Sequence, residues 1–343
     1  MSKPTRRVFF EQTMKGVAVG AGVAALHAVA GAPPAMAATN TKRAYTAGKF
    51  AVLLDNNAMA GWVHGIDGGD AYSEVVIQPA GADRIQHKHL AGVKYEDLSL
   101  KFGTGMSRGF YEWIKATLAR GYPRKNGAIV VADFNFKETA RLTFGNGLIT
   151  EIEFPALDAA SKDAAAMTID ITPANTRWTQ GSGGAVPATN LSKAIQSKWL
   201  PANFRLQIAG LNTTKVNKID ALTFKLPTVS EPARAEERMP AKQAGVLQVP
   251  NLVVTLAATT AAEFYKWFDD FVIRGNGQTK TGTLEYLTPN LQGVLFTLSF
   301  KGLGIFKLKQ EAIESGSENI RRVKAEMYCE DVQFSYGAEA AAG

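Results

Sequence analysis

The chain has 343 residues, 46% of them hydrophobic and 20% charged, and carries a formal net charge of +7, a length that suits two domains of ordinary size. Its single cysteine, Cys329, excludes an intrachain disulfide. No Lys/Arg cluster interleaves with aromatic residues, which argues against a nucleic-acid-binding face.

The first element in chain order reads as an export signal over residues 1–37. Thr5-Arg6-Arg7-Val8-Phe9-Phe10 resembles the twin-arginine motif. A mildly apolar run, 16–30, follows, too short and too rich in Gly and Ala to span a bilayer securely. Ala35-Met36-Ala37 then fits a small-x-small cleavage site. This segment carries Lys3, Arg6, Arg7 and Lys15 against Glu11, so its removal takes the net charge from +7 to +4. The twin-arginine export machinery, which carries folded proteins, is the partner this reading implies.

Beyond the signal, segments 49–55, 71–78 and 92–102 read as strands from their alternation. The last breaks phase: Val93 and Tyr95 share one parity, then Leu98, Leu100 and Phe102 take the other. A bulge at a bend of the sheet would absorb such a slip. Phe110, Trp113, Ile114, Thr117 and Leu118 then form one helical stripe, capped by Ser107. Strands are expected at 128–133, 140–144, 148–154 and 164–172, with Gly145-Asn146-Gly147 as a tight turn. The run 180–190 is a flexible linker by composition.

The remainder reads as the same domain again. Phe110-Tyr111-Glu112-Trp113 is answered by Phe264-Tyr265-Lys266-Trp267, Ile66-Asp67 by Ile219-Asp220, Gly127 by Gly282 and Phe144 by Phe300. The offsets climb singly through 153, 154, 155 and 156. Repeats this long are whole domains, since solenoid units are shorter. The phase break recurs, Leu247 and Val249 against Leu252, Val254 and Leu256. So does the stripe, as Phe264, Trp267, Phe268, Phe271 and Val272, here with a capping box over Thr260-Ala261-Ala262-Glu263. Strands are expected at 283–287, 294–300, 304–309 and 322–334. Phe110, Trp113, Phe264 and Trp267 are assigned to the cores. Segments 79–92 and 227–245 occupy matching places between strands and read as long hairpin arms or loops. Short strands with one helix per copy give a mainly β (α+β) fold, two tandem barrels or sandwiches each flanked by a helix.

Catalytic chemistry finds little footing. His87-Lys88-His89 offers two ligands on one strand face without a third at recognisable spacing. The phosphate-binding Gly-x-x-x-x-Gly-Lys motif is absent, and no cofactor, metal or catalytic residue is assigned. Cys329 continues an alternating pattern and reads as a buried, inert thiol.

A resemblance adds to this. Glu74-Val75-Val76-Ile77, a loop, Leu90-Ala91-Gly92-Val93-Lys94-Tyr95-Glu96-Asp97-Leu98-Ser99-Leu100-Lys101-Phe102-Gly103, the helix with Tyr111 and Trp113, and Arg124-Lys125-Asn126-Gly127-Ala128-Ile129-Val130 follow in order. The series, over 45–178, resembles the contractile phage tail tube family. The second copy keeps the helix and the phasing but loses Lys-Tyr and Arg-Lys-Asn-Gly. The resemblance implies a structural protein, not an enzyme. It implies β-barrel domains arranged as six-domain rings that stack into a hollow tube, with a long hairpin reaching the next ring; type VI secretion tubes share that fold. With 45–178 as domain 1, 179–200 as linker and 201–336 as domain 2, three chains would supply one ring. Arg84, Lys88, Arg234, Glu236, Glu237 and Arg238 on the arms are the expected stacking contacts. The alternatives are an exported two-domain binding protein that does not polymerise, and a cytoplasmic phage tail or injection-system tube subunit.

Overall fold

A computed structural model describes residues 48–55, 58–79, 85–186, 199–230, 242–311, 320–338 and 340. Arg6, Arg7, Ala35 and Ala37 of the export reading, and Arg84, Arg234, Glu236, Glu237 and Arg238 of the arms, lie outside the described residues.

The first half contributes β1 (Lys49–Leu54), β2 (Ala58–Val63), β3 (Gly65–Gly68), β4 (Ala71–Ile77), β5 (Lys88–Tyr95), β6 (Leu98–Phe102), α1 (Arg108–Leu118), β7 (Lys125–Ala132), β8 (Glu138–Phe154), β9 (Leu157–Asp158), β10 (Met167–Thr172) and β11 (Asn175–Gln180). The second contributes β12 (Phe204–Ile208), β13 (Val216–Ile219), β14 (Leu222–Lys225), β15 (Thr228–Ser230), β16 (Lys242–Ala244), β17 (Leu252–Ala257), α2 (Ala262–Phe268), β18 (Lys280–Leu287), β19 (Val294–Gln310), β20 (Arg322–Tyr328) and β21 (Asp331–Tyr336). One sheet runs β2-β1-β7-β8-β10-β6-β3, with β11 and β14 also on β8. The other runs β12-β18-β19-β20-β17-β13-β9, with β21 also on β19. The fold is mainly β, its sheet nearly closed into a barrel and each half carrying one α-helix among the described residues.

The two sheets pair alike. Ile66 faces Leu100 and Ile219 faces Val254. Leu100 in turn faces Ile169, and Val254 faces Ala325. Gly127 lies opposite Phe144, and Gly282 opposite Phe300. Gly127 is required there, since a Cβ would meet the Leu53 carbonyl at 2.6 Å; at Gly282 a Cβ would fit tightly, 3.0 Å from the Gln207 carbonyl. Trp113 Nε1 donates to the carbonyl of Pro123 at 2.8 Å, and Trp267 Nε1 to that of Gln278 at 3.2 Å.

Several local expectations are corrected. Gly145-Asn146-Gly147 is not a turn. It lies inside β8, 17 residues long, and Asn146 takes a φ of +53°. That single left-handed residue bends the strand without ending it. Before the bend β8 pairs with β7 and β11; after it, with β10 and β14. One strand thus serves two layers, as closure of a barrel demands. β19 is also 17 residues long and bends at Gly302, φ +66°. The phase slip after Tyr95 is likewise no bulge: Glu96 and Asp97 separate β5 from β6, which belong to different sheets. The capping box fails, because Ala261 is the N-cap and the Thr260 hydroxyl donates to the Ala257 carbonyl instead. Ser107 does cap α1, accepting from Phe110 N–H at 3.3 Å. α2 gives way to a π-turn over Asp269–Ile273, which leaves Val272 exposed rather than on the buried stripe. Expected strand 322–334 divides into β20 and β21.

Residues 181–186 of the expected linker are ordered. Glu138 N–H donates to the Gly184 carbonyl and Val186 N–H to the Phe136 carbonyl. Val186 is buried with Ala51, Leu53, Ala128, Val130 and Ala132 on the outer face of β1 and β7. The main core is continuous through both halves.

Glu138 ties this corner together. Arg141 grips it with two hydrogen bonds, Nε to Oε1 at 2.8 Å and Nη2 to Oε2 at 3.0 Å, and the Ser182 hydroxyl adds a third at 3.1 Å. The Arg141 contact foremost holds its carboxyl below the ordinary glutamate range. Since the folded value lies below the unfolded one, this stabilisation is present above the ordinary range and is lost as pH falls through the folded value. Glu138→Gln is expected to cost about 1–3 kcal/mol at neutral pH. The cost should vanish in strong acid, as read by urea unfolding at both pH values. An equal cost in acid would mean the charge is not what matters.

Candidate assembly surface

Two features set this chain apart from a pair of self-sufficient barrels: its arms and the joint between its halves. The larger arm is the β4–β5 hairpin. Ser73 Oγ donates to the Ala91 carbonyl at 2.8 Å, and Lys94 meets Glu74 at 2.6 Å, which raises the lysine pKa. Neither face of the arm is covered. Val75 is 57% exposed and Leu90 70%, with Tyr72, Val76, Ile77 and Val93 also exposed. An isolated two-stranded hairpin is marginal in water, and a run of exposed apolar residues marks a contact surface. Lys88 opens β5 opposite Ile77. His87 and His89 lie on the same strand and its approach, both exposed. Among the described residues no three His, Cys, Asp or Glu side chains gather as a metal site would require.

The smaller arm, β15–β16, lies against the first half. Arg124 donates to the Lys242 carbonyl, and Lys242 Nζ stands 3.6 Å from Asp97.

The joint exchanges strands. β14 of the second half adds to β8 of the first, Leu222 facing Phe154 and Phe224 facing Ile152. β9 of the first half adds to β13 of the second, Lys218 facing Asp158. α1 lies on β21: Tyr111 stacks on Tyr336 with ring centroids 5.2 Å apart, and Glu112 accepts from the Tyr336 hydroxyl at 2.6 Å. Ion pairs cross the joint at Lys218–Asp158 (3.0 Å), Lys225–Glu151 (3.1 Å) and Arg120–Asp331 (2.6 Å). Such exposed pairs contribute about 0–1 kcal/mol each and fix register more than strength. The strength is aromatic. Phe154 is buried among Phe224, Tyr286 and Phe334 at centroid distances of 5.6–6.1 Å. Trp199 is buried against Tyr286 and Phe296. Burial raises the pKa of both Tyr111 and Tyr286, so both hydroxyls stay neutral.

Of the side chains expected in the cores, Trp113, Phe110, Phe264 and Trp267 are all buried. Cys329 sits just past β20, buried, its thiol pushed up chiefly by desolvation and donating to the Asp331 carbonyl. Sequence reasoning missed Trp199, which falls in the expected linker, and β14, a four-residue strand whose Leu222 and Phe224 alternate too briefly to register.

Residues 46–178 match the family model of the T4-like virus tail tube protein gp19. Solved structures that match part of the chain include the anti-feeding prophage tube-terminating cap, at 18% identity and a TM-score of 0.37, over 43% of this chain and 99% of that one. Another is the PVC sheath–tube complex of an extracellular contractile injection system, at 15% identity and 0.36, over 41% and 94%. Hcp1 from Flavobacterium johnsoniae is a third, at 18% identity and 0.25, over 39% and 95%. No curated protein matches the chain.

Proposed function

We propose that this chain is a self-assembling tube subunit, exported by the twin-arginine route, whose two halves are copies of one tail-tube domain. Three chains close a six-domain ring, and rings stack through the arms. The observation that carries the reading is the strand exchange inside the chain. A tail-tube segment already docks a second β unit by completing its sheet with β14. The matched pairings at steps of 153 to 156 residues support the duplication. The twin-arginine motif and the small-x-small site support export.

Native mass measurement and negative-stain microscopy of the chain without residues 1–37 test this, with trimers and rings expected. A stable monomer at high micromolar concentration would overturn it.

Stacking makes its own prediction. The exposed apolar arm, with Lys88 and the charged Arg84, Arg234, Glu236, Glu237 and Arg238, forms the contact between rings and is salt-sensitive. Leu90→Lys with Val93→Lys is expected to leave rings intact and abolish long tubes. Tubes of normal length from that variant would show that the arm is not the contact.

A further inference from the structure

The joint inside the chain has two halves, and each half recurs, unmatched, at one end of the molecule. Stepping β14 back by 153 residues leads from Leu222–Lys225 to 69–72, the start of the large arm. The backbone follows: Lys225 bridges Gln248 on one side as Tyr72 pairs with Lys94. On the other side Lys225 pairs with Glu151 of β8, whereas Tyr72 pairs with no second strand among the described residues. Stepping β8 forward by 156 leads from residues 151–154 to 307–310 of β19. There β20 covers one edge, and among the described residues no strand covers the other. Where Ile152 and Phe154 are buried, Leu308 is half-buried and Gln310 exposed.

The helix contact recurs in the same way. Tyr111 on α1 answers to Tyr265 on α2, 38% exposed, its hydroxyl accepting from Gln310 Nε2 at 3.0 Å. Tyr336, on which Tyr111 stacks, answers to Gln180 at the end of β11, and Phe334, beside Tyr336, answers to Trp178, 44% exposed, its Nε1 donating to Asp70 Oδ1 at 2.9 Å. Trp178 therefore stands beside the free start of the arm, and Tyr265 beside the free edge of β19. Both ends bring an uncovered aromatic next to an unpaired edge, and they differ in the partner each lacks.

We propose that the surface joining one chain to the next repeats the joint within the chain. Residues 69–72 of one copy add to residues 307–310 of a second, in the register Asp70–Lys309 and Tyr72–Lys307, while Tyr265 packs into the cluster around Trp178. The contact is head-to-tail, since one end carries the strand and the other the edge, and such contacts close into rings or run on as filaments. The register sets Asp70 against Lys309, a charge match that favours it. The occupant is a second copy because the complementary surface is already seated once in this fold. The inference rests on the self-assembly reading and names its joint.

Tyr72→Cys with Lys307→Cys tests it. In the corresponding antiparallel ladder within the chain Leu226 N–H donates to the Thr150 carbonyl, which makes Lys225–Glu151, the counterpart of this pair, a close non-hydrogen-bonded pair. Side chains there come within disulfide reach. Oxidising the assembled double variant should give covalent dimers and trimers on a non-reducing gel, and neither single variant should. Trp178→Ala and Tyr265→Ala should each weaken association by roughly tenfold or more while leaving the melting temperature of the dissociated chain unchanged, because both side chains are exposed in one chain. Rings that form without the crosslink, and that withstand both alanine variants, would overturn this joint and leave the tube reading standing. An unmodified chain that never associates would remove both.

Discussion

Trp113→Ala is expected to destabilise the folded chain by about 3–5 kcal/mol, the range for truncating a large buried aromatic. Trp113 is 1% exposed and meets Phe110 edge-on at 6.3 Å. Its indole N–H holds the Pro123 carbonyl, so the variant loses apolar burial and leaves that carbonyl without its donor. The loop it anchors leads from α1 into β7, a strand of the first sheet. Total stability of a domain is about 5–15 kcal/mol, so the soluble yield should fall steeply. Urea unfolding followed by circular dichroism reads the loss. Wild-type stability together with fluorescence readily quenched by acrylamide would mean that the indole is a surface group, and would revive the reading of the chain as a binding protein. Trp267→Ala should cost less, since its ring, at 6% exposure, opens onto a shallow surface pocket beside Lys280.

Phe154→Ala is expected to cost as much, again about 3–5 kcal/mol, with a different signature. Phe154 belongs to the first half, yet the rings around it, Phe224, Tyr286 and Phe334, all belong to the second. The cavity therefore opens at the joint. Thermal unfolding, expected as a single transition in the native chain because its core is continuous, should separate into two. Association should fail too, because the two free ends are held in relation to one another chiefly through this joint. One cooperative transition at a modestly lowered temperature would mean that the halves communicate elsewhere.

The fold was legible where a residue repeats at a fixed step. The buried stripe of α1 was set by Phe110, Trp113, Ile114, Thr117 and Leu118, and every one of these side chains is buried. Matching glycines at 127 and 282 marked close backbone approaches, too close for a Cβ at Gly127 and tight for one at Gly282. What escaped was whatever depends on two distant segments. Asn146 between two glycines carries the local signature of a turn, and only the strands on either side of β8 show that the chain bends there and continues. Glu96 and Asp97 looked like a slip in one strand because nothing local says that β5 and β6 go to different sheets. The joint was hidden for the same reason. Leu222 and Phe224 are two apolar residues in a four-residue strand, and their burial is created by Phe154, far away in sequence.

The exchange of β14 onto β8 also bears on how an assembly would grow and come apart. A joint within one polypeptide forms at an effective concentration of about millimolar, whatever the dilution of the protein. Every second joint of the proposed ring would therefore already exist before two chains met, and closure would be a reaction third order in protein rather than sixth. Dilution would break only the alternate joints, so the smallest fragment released would always carry two domains, with one end ready to accept a strand and the other ready to donate one.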